Sequence, residues 1–327
     1  MIRVLSGMRP TGPLHLGHLL GALENWKKLQ DAHECFFMVA DLHALMGEYE
    51  SPAEIQKNSL EMVIDWLAYG IDPEKSTLFI QSQIPEHAEL ALILGMITPI
   101  GWLERNPTYK EQLREIQGRD LTTYGFLGYP VLQAADILLY KANKVPVGED
   151  QLAHLELTRE IVRRFKHFYK KDVFPEPEAL LTQEARILGI DRRKMSKSYG
   201  NAINLSDSEE VLRTKVQSMI TDPARVKMTD PGHPDVCNVY SYHRFFSDGA
   251  KVKAVYDWCT GAKKGCTDCK KSFSDILSDQ LTPMRERRMK LTKDIKYVHQ
   301  VLERGRARAK KIAEGTIGEI RGVLHLL

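Results

Sequence analysis

Thr11-Gly12-Pro13-Leu14-His15-Leu16-Gly17-His18 decides the fold through what flanks it. An apolar segment with Ile2, Val4 and Leu5 precedes it, and apolar residues at helical spacing follow through Leu19, Leu20, Leu23 and Trp26. That order predicts a strand, a Gly/Pro turn and a helix start carrying two imidazoles. Backbone amides at such a turn, with His15 and His18 three residues apart on one face, make a favourable place for an anion.

A second stretch answers the first. Lys194-Met195-Ser196-Lys197-Ser198-Tyr199-Gly200-Asn201 places two lysines around small hydroxyl residues and ends in a turn-forming Gly-Asn, the pattern of a cationic loop able to close on polyphosphate. A Lys/Ser run on its own is usually solvated surface. Its pairing with the His-containing turn favours nucleotide binding.

Between these stretches, residues 1–150 alternate strand-like and helix-like segments, which predicts a parallel sheet built from βαβ units. Glu34 to Asp41 is a nearly continuous apolar run suited to a central strand, and it ends at Asp41-Leu42-His43, where strands of such sheets meet ligand. Ser51-Pro52-Ala53-Glu54 has the residues of a capping box and should open a helix running to Gly70. Thr77 to Ser82 reads as another buried strand, and Lys144 to Val147 as a strand followed by Gly148, Glu149, Asp150 and Gln151. Residues near 86–125 look like an inserted helical segment. In the helix from Tyr129 to Tyr140, Tyr129, Gln133 and Asp136 are spaced i, i+4 and i+7 and share a face. An Asp among Ala, Ile and Leu needs a partner, either from the protein or as an acceptor for one donor on a bound small molecule. Ser206-Asp207-Ser208-Glu209 begins a further helix with a second capping box, and the pattern beyond is helical. The expected organisation is a Rossmann-like α/β domain over 1–205 and a helical domain over 206–327, its last helix a candidate to pack back on the first domain.

The 327 residues carry a net charge of +3, with 43% hydrophobic and 27% charged residues. That is ordinary soluble composition, without an apolar run of membrane length or a secretory pattern at the start, so a cytoplasmic protein is expected. From Leu281 onward there are 12 Lys/Arg and 5 Asp/Glu. The basic end suggests a polyanionic partner, and a solvated helical face is the competing reading. Cys35 falls in the apolar strand and reads as core. Cys237, Cys259, Cys266 and Cys269 cluster late in the chain, and Cys266-Thr267-Asp268-Cys269 is a Cys-x-x-Cys corner. In a reducing compartment four clustered thiols read as metal ligands, for structural zinc or a [4Fe-4S] cluster.

Taken together these motifs resemble class I aminoacyl-tRNA synthetases, and more narrowly the bacterial tryptophanyl-tRNA synthetase family. The likeness spans almost the whole chain. Gly7-Met8-Arg9-Pro10-Thr11-Gly12 leads into His15-Leu16-Gly17-His18, similar to the family's "HIGH" signature, and Lys194 to Ser198 matches its "KMSKS" loop letter for letter. Asp41 to Ala44, Phe79 to Ser82, Ala134 to Tyr140 and Val145 to Gln151 also resemble the tryptophan branch. The four cysteines resemble the iron-sulfur-containing subgroup, whose [4Fe-4S] cluster lies in the anticodon-binding domain.

The resemblance implies activation of L-tryptophan with ATP and Mg2+ and transfer to tRNA(Trp), by a homodimer. It implies catalytic roles for His15, His18, Lys194 and Lys197. ATP contacts are implied for Arg9, Thr11, Gly17, His18, Lys110, Gly148, Asp150, Ile187, Lys194, Met195, Ser196 and Lys197. Tryptophan contacts are implied for His43, Tyr129, Gln133, Asp136, Val147 and Gln151, with Asp136 accepting the indole N–H. The metal would sit on Cys237, Cys259, Cys266 and Cys269, with Zn2+ as the alternative occupant. Gln133 and Arg9 depart from the methionine and glutamine common in the family, and Tyr-x3-Gln-x2-Asp is shared with tyrosyl enzymes. A tyrosyl enzyme, and a catalytically silent RNA-binding relative, therefore stand as alternatives.

Overall fold

The computed structural model of the chain describes residues 2–115, 122–181, 187–196 and 199–326. They cluster into two compact units: Met1–Gly12, Asn25–Gln183 and Lys293–Leu327 in the first, and Pro13–Glu24 with Glu184–Thr292 in the second.

The first unit holds a five-stranded parallel sheet in the order β3-β2-β1-β4-β5, with β1 Arg3–Met8, β2 Glu34–Val39, β3 Ser76–Ile80, β4 Lys144–Val147 and β5 Glu178–Leu181. Strand order reverses beside β1, which sets the ligand-binding crevice at the C-terminal ends of β1 and β4. The apolar run predicted as a central strand is β2, buried on both faces from Cys35 to Val39. Its side chains alternate between two layers of rings. Phe37 stacks on Trp26 at 4.2 Å, and Trp26 meets Trp66 edge-on at 5.1 Å, while Phe36 turns the other way onto Tyr140 at 5.1 Å. Each such pair adds about 1 kcal/mol beyond the area it buries.

Two capping boxes expected from sequence form differently. Ser51 makes no side-chain cap: the segment starts as a 3-10 turn, Pro52–Glu54, and continues as the helix Ile55–Tyr69, closed by Gly70. With ψ at 61°, Ser51 leaves the extended geometry that aims a capping hydroxyl at the first turn. In the second unit Ser208, two residues beyond the expected cap, accepts from the Val211 amide at 3.2 Å and opens the helix Glu209–Ser218. Strand β5 had no sequence signal of its own. It is a four-residue edge strand without a fully buried position, so no apolar run marks it.

The C-terminal helix Ile295–Leu324 packs on β3. Gly305 is the reason it can come so near: a side-chain carbon there would run into the backbone oxygen of Leu78. The helix thereby covers an edge strand that would otherwise offer unpaired backbone. Much of its positive charge is balanced within this unit. Arg304 pairs with Glu74 at 2.7 Å, Arg321 with Glu89 at 2.8 Å, and Arg306 with Glu303. Such exposed pairs contribute about 0–1 kcal/mol each.

In the second unit the turn at residues 13–18 pairs with the segment after the lysine loop. The Leu16 amide donates to Ile203 O at 3.1 Å and the Leu205 amide to Leu14 O at 2.8 Å. The rest is helical around Tyr242, Phe246 and Phe273, all buried. Among the described residues no helix is long and apolar enough to cross a membrane.

Candidate functional site

The first unit contains a cavity of about 340 Å3 at the C-terminal ends of β1, β2 and β4. His43, Tyr129, Gln133, Asp136, Val147 and Gln151, the six residues expected on the amino acid, all line it. Arg9 and Gly148, expected on the nucleotide, line it too. Thr11, Lys110 and Asp150 do not: Lys110 is exposed on the helix Pro107–Glu115, and Asp150 accepts from the Gln151 side chain at 2.7 Å.

The chemistry centres on Asp136, which the helix Tyr124–Leu139 carries to the cavity wall with only 2% exposure. His43 Nε2 donates to its Oδ2 at 2.9 Å and His87 Nδ1 to its Oδ1 at 2.6 Å, while Gln81 Nε2 spans both oxygens at 2.8 and 2.9 Å. Burial pushes this carboxyl up, and the hydrogen bonds from His43 and His87 more than offset it, so Asp136 is held below the usual carboxylate range. A carboxylate has about four acceptor directions. His87 and Gln81 meet Oδ1 and His43 and Gln81 meet Oδ2, so all four directions are taken, and the shared Gln81 contact is the one that a further donor could replace.

Sequence reasoning placed His43 at this pocket and missed the other two donors. Gln81 lies in the Phe79 to Ser82 segment already noted at a strand end, whereas His87 carried no local signal. His87 also explains the burial of Tyr140, whose hydroxyl donates to His87 Nε2 at 2.8 Å once Nδ1 holds the ring proton toward Asp136.

The cavity's other wall has a second polar line. Tyr129 Oη is 2.7 Å from His154 Nε2, and His154 Nδ1 is 3.0 Å from Asn106 Nδ2. His154 is 1% exposed, and burial lowers its pKa to about 4, so the ring is neutral at physiological pH. Burial likewise pushes the Tyr129 phenol up.

The second unit holds the nucleotide motifs. His15 caps the helical turn Leu16–His18, its Nδ1 accepting the Gly17 amide at 3.1 Å, and His18 Nδ1 accepts the His15 amide at 3.1 Å. With both Nδ1 atoms acting as acceptors, the neutral rings carry their protons on Nε2, as donors suited to phosphate oxygen. Gly17 lies against the His15 ring, which a side-chain carbon there would crowd, with the Ile187 side chain in ordinary contact beyond.

In the lysine loop, Met195 is buried and Lys194 exposed, and Asn201 pins the backbone. The Ser196 amide donates to Asn201 Oδ1 at 2.8 Å, and Asn201 Nδ2 donates to Asp191 at 2.8 Å and to Lys194 O at 3.1 Å. Lys197 and Ser198 lie outside the described residues. A Gly-Asn turn was legible in the sequence; the role of Asn201 as clasp was not.

Cys237, Cys259, Cys266 and Cys269 line one small cavity in the same unit. Cys237 precedes the helix Asn238–Phe246, Cys259 lies near the end of Gly249–Thr260, and the Cys-x-x-Cys corner opens Cys266–Lys293. Burial first, then the charges of the other three, pushes the Cys269 thiol up to about 12. A side-chain carbon at Gly232 would run into the Cys259 sulfur, and Arg225 reaches Cys266 Sγ at 3.9 Å. Among the described residues, no three Cys, His, Asp or Glu side chains stand so that they could hold a metal ion, so the metal site expected on the four cysteines is not seen in this arrangement.

Comparison with known proteins places this constellation in one class. The family described as tRNA synthetases class I (W and Y) matches residues 1–282. The Tryptophan--tRNA ligase of Thermotoga maritima is 51% identical over the full length of both chains, and that of Aquifex aeolicus is 44% identical over 99% of this chain and 100% of its own. The tryptophanyl-tRNA synthetase of Campylobacter jejuni, solved with ADP and tryptophan, superposes with a TM-score of 0.91 at 32% identity, over 99% of this chain and 100% of that one. The chain belongs to the class I tRNA synthetases and, within them, to the tryptophan–tRNA ligases. Its activity is the ATP-dependent joining of tryptophan to tRNA, and the tyrosyl and catalytically silent alternatives are set aside.

Proposed function

We propose that the 340 Å3 cavity of the first unit holds the tryptophan side chain, with Asp136 accepting the indole N–H. The observation that carries this reading is Asp136 itself, a buried carboxylate on the cavity wall whose two oxygens share one Gln81 nitrogen, a divided contact that an incoming donor can replace on one oxygen. An acceptor in such a place penalises any side chain that cannot donate, by about 10⁴-fold where the site's polar group is left unpaired. Amino-acid-dependent ATP–pyrophosphate exchange tests it. Tryptophan should support exchange, tyrosine should not, and an analogue with ring sulfur in place of the indole N–H should be at least about 10²-fold poorer. Equal exchange with the sulfur analogue would remove Asp136 from recognition.

The first step needs no general base, because the tryptophan carboxylate is already ionised, and in the second the departing AMP phosphate can take the proton of the ribose hydroxyl. Its oxygen bonds to the α-phosphorus of ATP as the bond to the pyrophosphate oxygen breaks, giving tryptophanyl-adenylate. The terminal tRNA ribose hydroxyl then displaces AMP. Positioning and charge stabilisation do the work. Gln133 and Gln151 would hold the α-ammonium from the first unit. His15 and His18 of the second unit would donate through Nε2 to phosphate oxygens. Lys194 and Lys197 would meet the charge that develops on pyrophosphate. Mg2+ would travel with the ATP phosphates, without a dedicated protein cage.

We further propose a [4Fe-4S] cluster, with zinc as the alternative, on Cys237, Cys259, Cys266 and Cys269, on the ground that the four thiols line one cavity. One tetrahedral ion needs all four sulfurs about 2.3 Å from a common centre, whereas a four-iron cluster holds each thiolate at a separate corner. When bound, the cluster would tie three helices together rather than take part in the reaction. Protein purified without oxygen should be brown, with broad visible absorbance that Cys266→Ser removes; a colourless, zinc-containing protein would sink the assignment.

The homodimer reading is supported by the helix Glu86–Ile97, which leaves Leu92 and Met96 61% and 74% exposed one turn apart, beside Ile100 at 64%. Such a stripe marks an interaction surface. Light scattering should give twice the chain mass, and Met96→Glu should halve it; a wild-type monomer at micromolar concentration would overturn this. ATP, tRNA and a reducing poise for the thiols coincide in the cytoplasm, where this reading places the enzyme.

A further inference from the structure

The Asn106, His154 and Tyr129 line has a direction that its geometry determines. The Thr108 amide donates to Asn106 Oδ1 at 3.0 Å, so the atom that Asn106 turns toward His154 is its amide nitrogen. An amide nitrogen only donates. His154 Nδ1 is therefore an unprotonated acceptor, and the single proton of the neutral ring is on Nε2, donated to Tyr129 Oη across 2.7 Å. A phenol oxygen that already accepts along that line cannot point its own proton back along it. Because Tyr129 lines the cavity, its O–H is presented there, together with the remaining lone pair.

We infer that His154 is a positioning residue that fixes the polarity of Tyr129, so that the phenol offers the zwitterionic head of the amino acid one donor for its carboxylate and one acceptor for its ammonium. This rests on the cavity holding the amino acid. Without the relay, a histidine accepting from Tyr129 would leave the phenol as acceptor only, suited to the ammonium and useless to the carboxylate. The carboxylate is the nucleophile, so its orientation bears on the first step.

Asn106→Asp inverts the relay without enlarging the side chain. A carboxylate only accepts, so the neutral His154 ring would carry its proton on Nδ1 and accept a hydrogen bond from the Tyr129 hydroxyl at Nε2. The expected result is a loss of tryptophan affinity of about tenfold, the worth of one hydrogen bond, while inhibition by tryptamine, which has the ammonium and no carboxylate, is unchanged. His154→Gln, which can accept from Asn106 and donate to Tyr129, should bind tryptophan nearly as wild type does. Equal losses for tryptophan and tryptamine in Asn106→Asp would overturn the inference. So would nitrogen NMR of the wild-type ring with the proton on Nδ1, a result independent of how any variant folds, and one that leaves the cavity reading intact. Tyr129→Phe binding tryptophan as tightly as wild type would overturn the inference as well, whereas unchanged tryptophan affinity in folded Asp136→Ala would instead remove the cavity reading, and the inference with it.

Discussion

Asp136→Ala is expected to lower kcat/KM for tryptophan in ATP–pyrophosphate exchange by about 10³-fold or more, through loss of the indole acceptor. The same change should destabilise the fold by about 3–5 kcal/mol, the cost of breaking a buried charged network by removing one member. His43, His87 and Gln81 would each keep a donor turned toward a vacated place, and His87 and Gln81 are fully buried. Recognition and stability can be told apart. ATP affinity should change little in protein that remains folded at the assay temperature, so a variant with normal melting and lost tryptophan response isolates the recognition effect. Unchanged KM for tryptophan in folded protein would show that the indole is read elsewhere.

Lys194→Ala should reduce kcat for exchange by about 10²–10³-fold, the usual effect of removing one group aimed at developing charge. Its KM for tryptophan should stay near the wild-type value, because Lys194 belongs to the second unit and does not line the amino-acid cavity. The effect depends on the loop being held. Asn201 bonds both the Ser196 amide and the Lys194 carbonyl and is itself 2% exposed, so the backbone running from the lysine carbonyl through Met195 is clasped while the lysine side chain is exposed. Arginine would restore the charge and not the action: a planar fork on the same backbone cannot follow phosphate oxygens as a compact ammonium does. A Lys194→Ala variant with wild-type kcat would transfer the role to other cations of the loop.

Local pattern made a large share of this legible. Continuous apolar runs mark strands covered on both faces, as β2 is, and i, i+4, i+7 spacing puts Tyr129, Gln133 and Asp136 on one helix face, so the wall of the cavity could be read before any contact was known. Strand β5 escaped because an exposed edge strand needs no apolar run. The Ser51 cap failed because a motif specifies residue types and not the ψ angle that aims the hydroxyl.

What the sequence determined by itself is the alternation that builds the sheet, the two signatures, and the lone carboxylate among apolar residues that called for a partner. Tertiary structure alone decided which partner. Gln81 and His87 reach Asp136 from 55 and 49 residues away, His154 reaches Tyr129 from 25, and Gly305 admits the last helix to the backbone of β3. Periodicity encodes which face of an element is buried. The donor that meets a buried acceptor is set by how separate elements pack, and no spacing along the chain records it.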